Sequence, residues 1–188
     1  GTLTENRMRV AALLADGQTL TTHGLTRLPV AFAELVRYTV LGSEIEPHDP
    51  MEQAFHDFAR RHRDAVQLPA ADWKLVREYE LSPELMAMSH LWHGPGLAEH
   101  VIAAKGAPEA IIDLCHLPEA QAAQVAADAR QLAEQGLRVL AVARATYPVG
   151  NDWPEIQHDF DFAYVGLVGL EDPVRQDVPA AVAACQQA

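Results

Sequence analysis

Three short segments of the chain carry charged side chains at positions where they can meet an anionic ligand. In KGAPE, Lys105 ends an apolar run and shortly precedes Pro108. A lysine at a strand end can place its ammonium beside a phosphate or an adenine ring. Gly106 has no Cβ, so a ligand can approach the backbone closely there. The competing interpretation is an ordinary strand-to-helix turn with a solvated lysine.

In LRVLAVA, residues 137–143, an arginine lies one residue into an apolar segment predicted to be a strand. Burying a guanidinium without a partner is costly, so Arg138 is expected at a strand end or in a cleft where an anion can meet it. The alternative is an arginine whose stem covers apolar surface while its head stays in water.

DPMEQAF, residues 49–55, predicts the start of a helix. Asp49 suits the N-cap and Pro50 suits the first helical position. Glu52 then lies in the first turn, where the helix dipole favours a carboxylate. The same carboxylate can accept a hydrogen bond from an adenine amino group, although a plain helix-start charge explains it equally well.

The elements that position these groups do not alternate regularly. A hairpin is predicted around Asp16-Gly17, further strands over 73–81, 86–93, 97–105, 137–147 and 162–170, and helices over 29–41, 50–62, 108–115 and 118–135. Because strands and helices are not in strict alternation, the pattern predicts an α+β fold with a largely antiparallel twisted β-sheet and helices packed on it. A doubly wound parallel sheet fits less well.

The composition is that of one globular unit, with 49% hydrophobic and 21% charged residues in 188. The formal net charge of −12 argues against nucleic-acid and membrane-surface binding. Cys115 and Cys185 form no CxxC pattern and are expected as reduced thiols. No apolar run reaches the roughly 20 residues of a membrane span. Both chain ends have the character of fragment boundaries, and we expect a soluble piece.

A metal site is not expected from the histidines. His90, His93 and His100 fall on two predicted strands. An odd step separates His90 from His93, which directs them to opposite faces, and no cysteine or carboxylate completes a ligand set.

In their order along the chain, these segments resemble the P-type ATPase family. KGAPE resembles the family's KGA nucleotide motif, LRVLAVA its LRxLA strand and DPMEQAF its DPxExA helix. The opening GTLT resembles the end of the phosphorylation motif DKTGTLT, whose aspartate would precede Gly1. VGLVGLEDPVR resembles the return hinge, with Val174 in place of the usual second proline.

The resemblance implies the nucleotide-binding domain fold of that family and a set of residue roles. The implied ATP-binding residues are Glu52, Leu81, Met86, Lys105, Gly106, Ala107, Arg138 and Leu140. The implied residues of the hinge and phosphorylation loop are Thr2, Thr4, Asp172, Pro173 and Arg175. No catalytic residue and no metal ligand is expected within the chain. The implied division is a hinge or phosphorylation-domain remnant over 1–7, a nucleotide-binding domain over 8–163, and a hinge with the start of the returning phosphorylation domain over 164–188.

By the same resemblance, the domain holds ATP and presents it to the phosphorylatable aspartate of a neighbouring domain of haloacid-dehalogenase type, with Mg²⁺ in the intact parent. The implied partners are ATP and the phosphorylation and actuator domains of the parent, at the cytoplasmic face of a membrane, without direct membrane or nucleic-acid contact. The fragment alone is not expected to turn over ATP. The DPxExA and LSPELMAMS stretches lean towards the calcium and related cation pumps.

One departure from the family's sequence pattern affects the residues expected to contact adenine. Leu81 and Met86 stand where family members carry the phenylalanine and lysine of EFxxxxKxMS, and Tyr79 could supply a ring only with a shifted strand register. A lost aromatic stack is worth about 1–3 kcal/mol. This departure keeps open the alternative of an interaction domain with a decayed pocket. A second alternative is a free-standing hydrolase of haloacid-dehalogenase type, which would need a DxD or DKT-like aspartate, and none precedes Gly1 in this sequence.

Overall fold

A seven-stranded antiparallel β-sheet forms the centre of the computed structural model, which describes residue 5 and residues 7–173. The strands are β1 (Arg9–Ala15), β2 (Gln18–Thr21), β3 (Lys74–Tyr79), β4 (Ala87–His93), β5 (Glu99–Gly106), β6 (Arg138–Pro148) and β7 (Ala163–Glu171). Their order is β2-β1-β7-β6-β5-β4-β3, and every neighbouring pair is antiparallel. The predicted α+β class with an antiparallel sheet is confirmed.

Helices cover both faces of the sheet. They are α1 (Ala33–Leu41), α2 (Pro50–Arg61), α3 (Pro108–Leu114) and α4 (Glu119–Glu134), with short 3₁₀ turns at Val30–Phe32 and Gln157–Asp159. The pair α1 and α2 packs on one face, against β1, β5, β6 and β7. The pair α3 and α4 packs on the other, chiefly against β5, β6 and β7.

Most of strand β6 is apolar because both of its faces are covered by helices. Its alternate residues Ala141, Ala143 and Ala145 enter the core under α3 and α4. Leu140 and Val142 enter the core under α1 and α2. A strand that is buried on both faces has no solvent side, so the period-2 alternation of apolar and polar residues is lost.

Local signals set several boundaries as predicted. Asp16 and Gly17 both have positive φ, 50° and 72°, as the two-residue hairpin turn requires. The Asp49 carboxylate accepts hydrogen bonds from the backbone N–H groups of Met51 and Glu52, so it caps α2. The turn after α4 contains Gly136, whose φ is 82°.

Each of the seven strands has one terminus at the same end of the sheet. At this end, which we call the site end, β1, β4 and β6 begin and β2, β3, β5 and β7 finish. The cross-strand pairs Tyr79↔Ser89, Ala87↔Gly106, Gly106↔Ala141, Arg138↔Leu170 and Arg9↔Glu171 define it. Segments far apart in the chain therefore meet there.

Strand β7 lies in the interior of the sheet, between β1 and β6. The predicted division of the chain assigns residues 164–171 of this strand to the returning hinge. In the structure those residues pair with neighbours on both sides, and the helices bury most of them. Among the described residues, no helix combines the length and the apolar character needed to cross a bilayer.

Candidate functional site

The Lys105 side chain is buried near the last residue of β5, with 4% of its surface exposed. Its Nζ donates to the carbonyl oxygen of Gly42 at 2.7 Å, to Oγ of Ser43 at 3.0 Å and to Oε1 of Glu52. An ammonium has three hydrogens, so each one is matched by an acceptor. Nζ also lies 5.8 Å from the centre of the Phe55 ring.

Glu52 reaches Lys105 because of where α2 begins. With Asp49 as N-cap, Glu52 lies in the first turn, and its carboxylate points towards β5. Its Oε2 accepts a hydrogen bond from the backbone N–H of Glu44 at 3.1 Å. Glu52 is 7% exposed, and both of its carboxylate oxygens have partners. The pair satisfies the requirement that buried charges be both paired and hydrogen-bonded.

The end of α1 lies against the buried Lys105 side chain. Nδ1 of His90 and Nε1 of Trp92 both lie within hydrogen-bonding distance of the Leu41 carbonyl oxygen, at 3.2 and 2.8 Å. Burial, followed by the charge of Lys105, lowers the pKa of His90. Burial also lowers the pKa of Lys105, and the bond to Glu52 opposes that shift. A neutral His90 beside a paired Lys105 keeps like charges apart.

Gly106 and Ala107 hold β5 tightly against β4. A Cβ on Gly106 would lie 2.6 Å from Cα of Ala87 and closer still to the Met86 carbonyl oxygen. That carbonyl accepts a hydrogen bond from the Ala107 N–H at 2.9 Å. The group that approaches the Gly106 backbone in this structure is therefore the neighbouring strand.

Arg138 and Leu140 lie on the same face of the sheet as Lys105. Lys105 pairs with Val142 across β5 and β6, and directly paired residues point to the same face. Arg138 precedes Val142 by an even step and is exposed at the first residue of β6, whereas Leu140 is half-buried against the α1–α2 core. Four residues of strand separate Arg138 from Val142, which is about 13 Å.

Leu81 and Met86 flank the β3–β4 turn at the same end of the sheet, and both are about half exposed, at 51% and 53%. Met88 pairs directly with Lys105 and shares its face of the sheet. Met86 precedes Met88 by two residues, so it belongs to the same face. Tyr79 is buried instead, where its hydroxyl donates to the Pro154 carbonyl oxygen and its ring packs edge-on against Phe160. The structure keeps the ring of Tyr79 in the α3–α4 core.

The residues assigned to the hinge are only partly described. Asp172 and Pro173 directly follow β7, and the Pro173 carbonyl oxygen accepts a hydrogen bond from the Glu5 N–H at 2.9 Å. Residues 5 and 173, one from each segment predicted to belong to the hinge, are therefore neighbours at the site end. Thr2, Thr4 and Arg175 lie outside the described residues.

Sequence reasoning missed Gly42 and Ser43. Ser43 is 1% exposed, and its hydroxyl donates to the Thr39 carbonyl oxygen at 2.7 Å while it accepts from Lys105. A serine that follows a helix-ending glycine belongs to no recognisable binding motif, so the sequence did not indicate its role. Since Ser43 and Lys105 are 62 residues apart, no local signal links them.

His90 and His93 point to opposite faces of the sheet, as their odd spacing predicts. His90 faces α1, whereas the rings of His93 and His100 lie 5.2 Å apart, and the Trp153 indole N–H is 3.5 Å from Nε2 of His100. Within the described part of the chain, no group of three or more candidate metal ligands is present.

The fold and the convergence of these residues define an α+β domain with a charged, partly buried centre at one end of an antiparallel sheet. A family model described as P-type ATPase, cytoplasmic domain N, matches residues 43–177. The chain belongs to this family of P-type ATPase N domains.

Individual relatives agree with this assignment. The chain is 29% identical over 162 residues to the sodium/potassium exporting P-type ATPase cta3 of Schizosaccharomyces pombe, with 81% of the chain and 16% of that protein covered. It is 32% identical over 199 residues to the probable cation-transporting ATPase I of Mycobacterium leprae, with 93% and 12% covered. An endoplasmic reticulum-type calcium-transporting ATPase 3 of Arabidopsis thaliana is 33% identical over 100 residues, with 47% and 10% covered. The chain thus spans about a tenth to a sixth of the length of these relatives.

Proposed function

We propose that this domain binds ATP at the site end of its sheet and presents the γ-phosphate to the phosphorylatable aspartate of a neighbouring domain in a cation-transporting P-type ATPase. The observation that supports the proposal best is convergence. Glu52, Lys105 and Arg138 come from three separate segments, yet they share one face and one end of the sheet. The hinge segments at Glu5 and Pro173 lie at that same end.

The arrangement suits a long ligand. Lys105 and Arg138 are separated by about 13 Å along the strand direction, so a single anion cannot contact both. A nucleotide whose adenine lies near Met86 and Lys105 can extend its phosphates along β6 towards Arg138. The exposed Arg138 guanidinium offers several donors to phosphate oxygens.

Lys105 contributes differently from Arg138. Its hydrogens are matched by Gly42, Ser43 and Glu52, and its charge is paired with the Glu52 carboxylate. It therefore holds the end of β5 and the start of α2 together beside the adenine side and does not donate to a phosphate. In this role the domain performs no bond-making step. It orients the nucleotide, and Mg²⁺ enters with the phosphates. We assign no magnesium ligand to this chain.

Titration of ATP into the isotope-labelled 188-residue chain tests the proposal by nuclear magnetic resonance. We expect a dissociation constant between high micromolar and millimolar, about −4 to −6 kcal/mol, because Leu81 and Met86 replace the usual ring and ammonium. Amide shifts should concentrate around Lys105 and Arg138. Arg138→Ala should weaken binding about tenfold through the loss of a charged hydrogen bond, whereas Arg130→Ala on the exposed side of α4 should not.

The second candidate is a non-catalytic interaction domain whose nucleotide pocket has decayed, favoured by the exposed Leu81 and Met86. On that reading, saturating ATP produces no shifts around Lys105 and Arg138, and the proposal of ATP presentation is wrong.

A further inference from the structure

A charged surface lies beside the hinge segments, on the side of α2 that faces away from the buried Lys105–Glu52 ion pair. A cleft of about 580 Å³ there is lined by four arginines, Arg7, Arg9, Arg60 and Arg61, together with Glu5, Met8, Ala54, Asp57 and Pro173. We call it the arginine cleft. The whole chain has 14 lysines and arginines and a net charge of −12, so four arginines around one cleft depart from its overall acidity.

Two of the four arginines are neutralised within the domain. Arg9 pairs with Glu171, and Arg60 pairs with Asp57. Arg61 contacts the Asp57 backbone oxygen at 3.3 Å and lies over the Phe58 ring, with no carboxylate partner among the described residues. Within residue 5 and residues 7–173, Arg7 likewise has no ion-pair partner. Among the residues that the structure describes, the two exposed guanidinium groups of Arg7 and Arg61 therefore lack an ion-pair partner at the cleft.

The position of Arg60 and Arg61 in the last turn of α2 complements the helix dipole. That effect accounts for basic residues on the helix. It does not account for Arg7, which belongs to the hinge segment before β1 and meets the helix end across the cleft.

We propose that the arginine cleft binds an acidic peptide segment supplied by the part of the parent polypeptide outside these 188 residues. The inference rests on the proposed function, in which the chain acts while attached to a longer ATPase. Residues 1–4 and 174–188 offer a single carboxylate side chain, that of Asp177. The chain covers only 16% and 12% of two of its relatives, so most of a parent of that length lies outside these 188 residues.

Peptide carboxylates suit the cleft better than a phosphate does. Glu5, Asp57 and Glu171 stand at the cleft or beside it and repel a compact multiply charged anion. Single carboxylates spread along a peptide can each meet one guanidinium while avoiding those three groups. Tethering raises the local concentration to the millimolar range, so weak ion pairs are sufficient to dock the segment. Docking here would bias the angle between this domain and its neighbours.

The test uses the labelled 188-residue chain and two probes at equal ionic strength, a hexaglutamate peptide and inorganic phosphate. We expect hexaglutamate to shift amides near Arg7 and Arg61. The double variant Arg7→Glu/Arg61→Glu should weaken that binding at least about tenfold. Lys74→Glu/Arg130→Glu makes the same change in charge at two exposed positions elsewhere and should leave it unchanged.

Three results would overturn the proposal: no peptide-induced shifts, equal shifts with phosphate, or binding that survives the double variant. Thermal unfolding of both double variants verifies that they are folded, and Arg7→Gln/Arg61→Gln repeats the test without charge reversal. An ATP titration on the same sample separates this proposal from the previous one. If ATP binds and the peptide does not, only the arginine cleft is misassigned. If the peptide binds and ATP does not, only the proposed function fails.

Discussion

The ammonium of Lys105 and the carboxylate of Glu52 form a buried ion pair between the end of β5 and the first turn of α2, although 53 residues separate them in the chain. Each side chain is less than one-tenth exposed. The Gly42 carbonyl oxygen and the Ser43 hydroxyl complete the hydrogen bonding of Lys105, and the Glu44 N–H completes that of Glu52. The pair ties α2, the α1 terminus and the sheet together at the point where we place the nucleotide.

Lys105→Met should destabilise the domain by about 3–5 kcal/mol, because it leaves the Glu52 carboxylate buried without its counter-charge. Glu52→Gln should also be destabilising. The double variant Lys105→Met/Glu52→Gln should lose much less than the sum of the two, since neither charge is then left alone. Urea unfolding of the four proteins measures the coupling. Simple additivity would show that the ion pair does not hold these elements together.

Gly106→Ala should destabilise the domain by more than about 2 kcal/mol, since the new methyl group would collide with the backbone of Met86 and Ala87 in β4. Gly42→Ala is the matched control. There a Cβ would meet its nearest neighbour, the Tyr38 carbonyl oxygen, at 3.4 Å, and φ is −84°. That change should alter the free energy of unfolding by less than about 1 kcal/mol. Equal unfolding free energies for the two variants would contradict the close strand contact.

Acid should weaken the fold through His90. Its pKa is lowered by burial and by Lys105, so the unfolded chain binds more protons as the pH falls below about 6.5. The free energy of unfolding should therefore fall on acidification, by up to about 1.4 kcal/mol per pH unit for this histidine until its folded pKa is reached. Removing the group should reduce the dependence without abolishing it, because burial also lowers the pKa values of His62 and His100. Unfolding of His90→Gln and of the parent between pH 7.5 and 5.5 measures this, with His23→Gln, at an exposed position, as the control variant.

Restoring the family's residues should strengthen nucleotide binding. Leu81→Phe should strengthen ATP binding by about 1–3 kcal/mol, because the new ring can stack on adenine. Met86→Lys adds a cation near the same position. Both residues are half exposed, so the substitutions should leave the unfolding free energy nearly unchanged. Calorimetric ATP titration of each variant gives the answer. Leu20→Phe on β2, away from the β3–β4 turn, serves as a control for added aromatic surface. Unchanged affinity in Leu81→Phe would place the adenine elsewhere.

Much of the fold follows from local physics that is readable along the chain. The Asp16-Gly17 turn depends on two residues that tolerate positive φ. The start of α2 depends on an aspartate cap followed by proline. Apolar periodicity placed the strands and helices, mostly with errors of one or two residues at their ends, such as β3, which finishes at Tyr79 instead of residue 81. The largest error is at α1, which begins at Ala33 instead of residue 29 because a 3₁₀ turn over Val30–Phe32 precedes it. The charged motif residues were also identifiable, although their roles remain predictions.

Tertiary structure alone decided how those residues meet. The strand order makes β5 and β6 neighbours, so that the end of β5 and the start of β6 lie at the same end of the sheet, and α2 packs next to the end of β5. No local sequence pattern predicts that strand order. The acceptors of Lys105 at Gly42 and Ser43, and the four arginines around the cleft, come from segments with no shared motif. A side chain's propensity acts over a few residues, whereas its hydrogen-bond and charge partners are chosen by whichever distant segments the packed core brings within about 3 Å.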